Sequence, residues 1–180
     1  MSEEDHSIIE RIIAGDRDSF ALIVHKYNAP VFNLAFRMTG SYEEAGDLAQ
    51  ETFVKAFENL GRFDRKRRFF TWLYTIGLNL IRNHLKKKKN YVTNRVRGAD
   101  YHSQSSPPDP EQNMIQQEEV LRISSCLDRL PVKLKEAVVL RFYQDLSFDE
   151  IAEITACSVG SAKMRVYRGL EGLNRMMNEK

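Results

Sequence analysis

Arg62-Phe63-Asp64-Arg65-Lys66-Arg67-Arg68 leads into Phe69-Phe70-Thr71-Trp72-Leu73-Tyr74-Thr75-Ile76, then into Gly77-Leu78-Asn79-Leu80-Ile81-Arg82-Asn83-His84-Leu85, and closes on four lysines, Lys86 to Lys89. Phe69, Leu73, Ile76 and Leu80 recur at helical spacing on one face. Asn79, Arg82, Asn83 and Lys86 follow at intervals of 3, 1 and 3 on another. The stretch therefore reads as a basic loop followed by an amphipathic helix. Clustered Lys and Arg supply phosphate affinity without sequence information. Aromatics can stack on bases that have left a duplex, and Asn and Arg carry donors and acceptors that read base edges. The plainer reading also stands: aromatics near a helix start commonly build a core, and lysines in a last turn complement the helix dipole.

Upstream, residues 43–60 show the cleanest helical period. Ala45, Leu48, Ala49, Thr52, Phe53, Ala56, Phe57 and Leu60 form the apolar stripe. Asp47, Gln50, Glu51, Lys55 and Glu58 lie outside it, and Glu43 and Glu44 fall in the first turn, as the dipole prefers. Gly46 suggests close approach of a neighbour. Further toward the N-terminus, a short amphipathic segment at residues 7–14 ends at Gly15-Asp16. Asp18 or Ser19 is placed to cap a helix over Phe20 to Tyr27. Pro30 is expected near the start of a separate helix over Val31 to Met38, where its missing N–H costs little.

Downstream, the pattern fails past Asn90. Residues 98–113 carry three of the five prolines and almost nothing apolar, the composition of a linker. Helical pattern returns near Met114 and runs to about Leu130, and Pro131 opens the next helix. Ser147 with Glu150 forms an S-x-x-E capping box. A short break, Thr155-Ala156-Cys157-Ser158, precedes a last helix from about Val159 to Met177. Two helices joined this way, with Ala152 at their approach, make a helix-turn-helix. The N-terminal residues of its second helix would meet base edges in the major groove: Ser161, Lys163, Arg165 and Arg168. The fold class expected is all-α. Two small helical domains, a bundle over residues 1–92 and a helix-turn-helix over 116–180, are joined by a polar flexible linker, residues 93–115.

The net charge of +2 conceals its distribution. Residues 1–60 hold 5 Lys and Arg against 11 Asp and Glu, whereas residues 61–97 hold 12 against 1. An acidic segment followed by a basic one suggests two different partners. No apolar run reaches the roughly 18 residues of a membrane span. The acidic start, Met1 to Asp5, lacks the layout of a signal peptide, so a cytoplasmic location is expected. Cys126 and Cys157 lie far apart and read as buried thiols. His6, His25, His84 and His102 are scattered, and no nucleophile–base arrangement, metal cluster or phosphate-cradling loop appears. No enzyme activity, metal or cofactor is expected.

Three blocks resemble the extracytoplasmic-function group of bacterial sigma factors. Asp47 to Phe57 is similar to the group's D-x-x-Q-E-x-F helix, and Phe70 to Asn79 to its F-x-T-W-L-Y-x-I-A-x-N block. Leu146 to Arg168 is similar to its C-terminal L-S-x-x-E-I-A-E-I block and the recognition helix after it. The resemblance implies that Asp47, Gln50 and Glu51 face the clamp helices of the largest subunit of core RNA polymerase. It implies that Phe63, Arg65, Arg67 and Arg68 border a flipped base of the promoter −10 element, with Asn79, Arg82, Asn83 and Lys86 on the bases and backbone around it. The helix-turn-helix would read the −35 element as duplex, and an anti-sigma factor would be a further partner. Departures from the group's pattern are Ala45-Gly46, Gly77, Thr155, Ser158, Ala162 and Met164. Met164 removes a hydroxyl from the recognition helix and would alter −35 preference. On the residues alone, a DNA-binding regulator that never joins polymerase and a protein-interaction adaptor remain alternatives.

Overall fold

The structure is a computed structural model, and it describes residues 3–95 and 114–178. Eight α-helices account for the fold among these residues: α1 (Glu3–Ile13), α2 (Phe20–Thr39), α3 (Tyr42–Asn59), α4 (Phe69–Arg95), α5 (Met114–Arg129), α6 (Val132–Phe142), α7 (Phe148–Thr155) and α8 (Val159–Asn178). Short 3-10 turns at Arg17–Ser19 and Leu60–Arg62 precede α2 and follow α3. The chain is all-α and forms two compact units, α1–α4 and α5–α8. The segment read as a linker, 93–115, overlaps the last turn of α4 and the first of α5; its remainder lies outside the described residues.

The first unit is a bundle built on aromatic and aliphatic stripes. Ile23, Val31, Leu34, Ala35 and Met38 of α2 are buried with Ala45, Leu48, Ala49 and Phe53 of α3 and with Phe69, Leu73, Leu78 and Ile81 of α4. Gly77 lets α3 and α4 approach, since a Cβ there would lie 3.3 Å from Thr52 Oγ1. The helix before Pro30 and the helix after it are one element of 20 residues, not two. Pro30 removes one backbone donor and crowds the carbonyl four residues back, a cost of about 3 kcal/mol in a helix interior. Burial of apolar side chains on both sides of it outweighs that cost, at about 1.5–3 kcal/mol for each fully buried large side chain. Asp16, rather than Asp18 or Ser19, caps the turn before α2: its carboxylate accepts from the Ser19 amide and hydroxyl at 3.3 and 2.6 Å. Those bonds, with Arg11, hold the Asp16 carboxyl below its ordinary range.

Around Gly46 the structure differs from expectation: a Cβ there would meet nothing within 4 Å. The tightest approaches at glycines are in the second unit. A Cβ on Gly169 of α8 would fall 2.5 Å from Val138 Cγ2 and 3.3 Å from the Leu134 carbonyl, and one on Gly172 would fall 3.0 Å from Leu130. Two glycines one turn apart thus let α8 lie directly on α6 and the end of α5, around Leu127, Leu130 and Val138. Cys126 is buried, whereas Cys157 is only half-buried in the turn between α7 and α8.

Candidate nucleic-acid and protein interfaces

The basic loop is held at several points. Phe63 is 6% exposed, its ring 5.5 Å from Phe69 and 5.1 Å from Trp72. Asp64 Oδ1 accepts from the Lys66 amide at 2.9 Å, and the Asp64 carbonyl accepts from the Arg67 amide at 2.9 Å. The Arg68 carbonyl accepts from Thr71 Oγ1 at 2.8 Å. Arg65, Arg67 and Arg68 are therefore exposed on a backbone that is already folded. Preorganisation of this kind reduces the ordering cost of binding. Phe63 itself lies beneath Trp72 rather than on the surface, so it can reach a base only by supporting the indole.

Beside the loop, α3 and α4 enclose a hollow of about 360 Å³ lined by Lys55, Asn59, Arg62, Trp72, Ile76, Asn79, Leu80 and Asn83. Trp72, Ile76, Asn79 and Asn83 recur at spacings of 4, 3 and 4, which stacks them along one face of α4. The hollow combines an aromatic edge, an apolar floor, three carboxamides and two cations. An unstacked base is held by that chemistry: stacking on an aromatic, and hydrogen bonds to its edge. Asn79 and Asn83, singled out in the sequence, come together here. Arg82 sits on the adjoining flank, with Nη1 3.5 Å from Asn79 Oδ1, and Lys86 is exposed one turn on. Lys55, Asn59, Arg62, Trp72 and Ile76 escaped the site reading; the four-three-four spacing was the signal that linked Trp72 and Ile76 to Asn79.

The lysine run is not uniform. Lys88 donates to Glu44 Oε1 at 2.6 Å, and His84 Nε2 stands 3.0 Å from Glu44 Oε2. Burial alone would raise the Glu44 carboxyl; the Lys88 hydrogen bond and the nearby His84 imidazole bring it below the ordinary carboxylate range. This cluster ties the start of α3 to the second half of α4.

Across α3 from the hollow, α2 and α3 border an apolar groove of about 1180 Å³. Phe20, Val24 and Phe32 of α2 face Phe53, Val54 and Phe57 of α3, and Gly46 leaves room at one end. Val54 is 48% exposed and Phe57 38%. Gln50 lines the groove, while Asp47 and Glu51 are exposed on the next strip of α3, outside its lining. An apolar trough with an acidic rim fits an amphipathic helical partner with basic flanks. The sequence reading found the rim and missed the trough: Phe57 was placed in the core stripe, and Val54 was an apolar residue on an otherwise charged strip.

In the second unit Ser147 caps α7 reciprocally: its hydroxyl accepts from the Glu150 amide at 3.3 Å, and Glu150 Oε2 accepts from the Ser147 amide at 2.8 Å. Ala156 ends α7 with φ +51°, the left-handed conformation usual for glycine. Ser158 opens α8, its oxygen accepting from the Ser161 amide at 3.2 Å and its hydroxyl donating to Ser161 Oγ at 2.9 Å. Ser161, Arg165 and Arg168 share one flank of α8 by spacing, and Arg168 lines a hollow of about 460 Å³ with Arg129, Glu171 and Arg175. Lys163 is on the other flank, Nζ 6.0 Å from the Tyr167 ring, which neighbours Phe148 at 6.5 Å. The four recognition candidates therefore divide three to one, and Met164, 52% exposed, stands between the flanks. Among the described residues, no three His, Cys, Asp or Glu side chains gather where a metal ion could be held, and no helix is long and apolar enough to cross a membrane.

Residues 23–91 match the family model of sigma-70 region 2, and residues 121–173 match that of sigma-70 region 4. The RNA polymerase sigma-H factor of Pseudomonas aeruginosa is 32% identical, over 97% of this chain and 94% of its own length. The sigma factor SigW of Bacillus subtilis, of the extracytoplasmic-function group, is 36% identical over 95% of each chain. Among solved structures, the sigma factor RpoE of Bartonella quintana, in complex with the anti-sigma factor NepR, superposes with a TM-score of 0.74 at 22% identity, covering 89% of this chain and 98% of that one. CnrH in complex with the cytosolic domain of CnrY gives a TM-score of 0.72 at 23% identity over 97% of each chain.

Proposed function

The chain belongs to the extracytoplasmic-function sigma factors of bacterial RNA polymerase, and on that premise we propose how its surfaces divide the work of starting transcription. It is a transcription initiation factor, with no catalytic centre of its own, and it acts in the cytoplasm. Residues 1–92 form the unit that binds core polymerase and the −10 element, 93–115 connect it, and 116–180 form the unit that reads the −35 element; the ranges matched by the two family models support that division.

The observation that carries the reading is the 360 Å³ hollow beside the basic loop. Arg65, Arg67, Arg68 and Lys86 draw in the phosphates of the −10 strand, an affinity that falls with salt. Trp72, resting on Phe63, stacks against the displaced base. Asn79 and Asn83 hydrogen-bond its edge, and Arg82 fixes the backbone beside them. Extruding a base costs a few kcal/mol. Stacking returns about 1–3 kcal/mol per base, so the Asn contacts and the phosphate contacts must supply the remainder. The apolar groove between α2 and α3 takes the polymerase clamp helices, with Gln50 in the groove and Asp47 and Glu51 meeting basic side chains at its edge. Ser161, Arg165 and Arg168 meet the −35 duplex from one flank of α8 and Lys163 from the other. An anti-sigma factor, competing for these surfaces, is the third partner.

Run-off transcription with core polymerase, this chain and a genomic promoter library tests the reading. Specific transcripts sharing spaced −35 and −10 motifs are expected. Asn79→Ala with Asn83→Ala is expected to keep core binding and lose strand opening, read as permanganate reactivity of −10 thymines. Transcripts from the double variant at the parental level would refute the assignment of the hollow. Duplex binding without core binding would favour a regulator that never joins polymerase.

A further inference from the structure

The N-terminal helix reaches the basic loop. Its own anchorage is firm: Asp5, 4% exposed, accepts from Lys26 Nζ at 2.7 Å and from the Tyr27 hydroxyl at 2.8 Å, and Ile8, Ile9 and Ile12 are buried. From that base, α1 makes two contacts with a single loop residue. His6 Nε2 lies 2.9 Å from the Arg65 carbonyl oxygen, so that nitrogen carries the proton and donates. Glu10 Oε1 lies 3.5 Å from Arg65 Nη1. One contact holds the Arg65 backbone, and the other sets a carboxylate beside its exposed guanidinium. The neighbouring carbonyls of Asp64 and Arg68 are already engaged within the loop and by Thr71. The Arg65 carbonyl is held from outside the loop, by α1.

We propose that α1 is a brace for the −10 loop and that His6 and Glu10 are positioning residues for promoter opening. They touch no DNA. They set the path of the chain at Arg65, and so where Arg67 and Arg68 stand when the −10 strand is displaced. Glu10 also offsets part of the charge of Arg65, so that arginine draws phosphate less strongly than Arg67 or Arg68. The inference rests on the assignment of the loop to the −10 element.

The test uses holoenzyme assembled from core polymerase and the full chain. His6→Ala is expected to lower opening of a matched −10 element about 2- to 10-fold, the range for losing one hydrogen bond. It is also expected to narrow the ratio between matched and singly mismatched −10 elements, with core affinity and duplex −35 affinity unchanged. His6→Gln, whose amide retains a donor near the Nε2 position, is expected to restore most of both. Glu10→Gln is expected to strengthen the salt dependence of binding, because Arg65 is then released to phosphate. The brace is refuted if His6→Ala opens and discriminates as the parent does while Arg67→Ala and Arg68→Ala fail to open. It is also refuted if His6→Ala and His6→Gln lose core affinity and opening together, which is the signature of lost fold. If Arg67→Ala and Arg68→Ala open normally, the −10 assignment itself is wrong and the brace falls with it.

Discussion

Replacing Gly169 by alanine is expected to destabilise the second unit, although alanine is the better helix former. The propensity gain is about 1 kcal/mol. Against it, the new methyl would stand 2.5 Å from Val138 Cγ2 and 3.3 Å from the Leu134 carbonyl. Carbon pairs settle at about 3.5–4.0 Å, so α8 must back away from α6 by on the order of 1 Å, or Val138 must leave its rotamer. Overpacking of that kind costs about 1–3 kcal/mol, leaving a net loss of up to about 2 kcal/mol. Val138→Ala removes the colliding methyl groups. The pair Gly169→Ala with Val138→Ala is then expected to be more stable than the sum of the single changes by about 1 kcal/mol. Hydrogen exchange on peptides from α6 and α8 of the full chain measures the loss, while Trp72, the single tryptophan, reports that the first unit is unaffected. Parental or greater stability for Gly169→Ala, with coupling to Val138 below about 0.5 kcal/mol, would refute the close approach.

Three further changes probe other parts. The Glu44 carboxyl has a folded pKa below its unfolded value, so between the two the unfolded chain binds more protons. Its contribution is present in full above about pH 5 and is lost as pH falls through the folded value; Glu44→Gln is expected to flatten the acid limb of Trp72-monitored unfolding. Ala156→Gly relieves a left-handed alanine and is expected to raise the stability of the second unit by about 1 kcal/mol without changing −35 affinity, measured by the same hydrogen exchange and by duplex titration. Val54→Glu places a charge at the apolar groove; stability is expected to move by less than about 0.5 kcal/mol, while core polymerase affinity falls at least about 10-fold in a fluorescence competition assay.

The elements legible in the sequence are those whose period is long and uninterrupted. The α3 stripe is readable from Ala45 to Leu60 because burial follows the helical period there at every position but Phe57, and the α7 cap because S-x-x-E encodes a local bond. What escaped is tertiary. Pro30 looks like a boundary to any local rule, yet packing on both sides carries α2 through it. Phe63 reads as an exposed aromatic in a charged loop, but Phe69 and Trp72 bury it. Gly46 and Gly169 are the same residue in similar helices, and only the neighbouring helix distinguishes open space from a 2.5 Å collision. Lys163 and Arg165 are two apart and fall on different flanks, which a count of basic residues cannot reveal.

The two surfaces of the first unit are parts of one helix. Gln50, Val54 and Glu58 of α3 border the apolar groove, and Lys55 and Asn59 of the same helix border the hollow beside the loop. Lys55 Nζ and Glu58 Oε2, 2.9 Å apart, join the two directly. That ion pair is exposed and screened by solvent, too weak to transmit a state from one surface to the other. The helix itself is the stiffer link. Thr52, in its buried stripe, packs against α4 at Gly77, so a shift of α3 toward a partner in the groove would bear on the wall of the hollow at that contact. On the proposed assignment, seating of polymerase and the shape offered to the −10 base would be coupled through packing at Thr52 and Gly77 rather than through charge. For that reason changes in the Thr52–Gly77 contact should disturb both surfaces together, whereas changes at Lys55 or Glu58 should disturb only the surface each one lines.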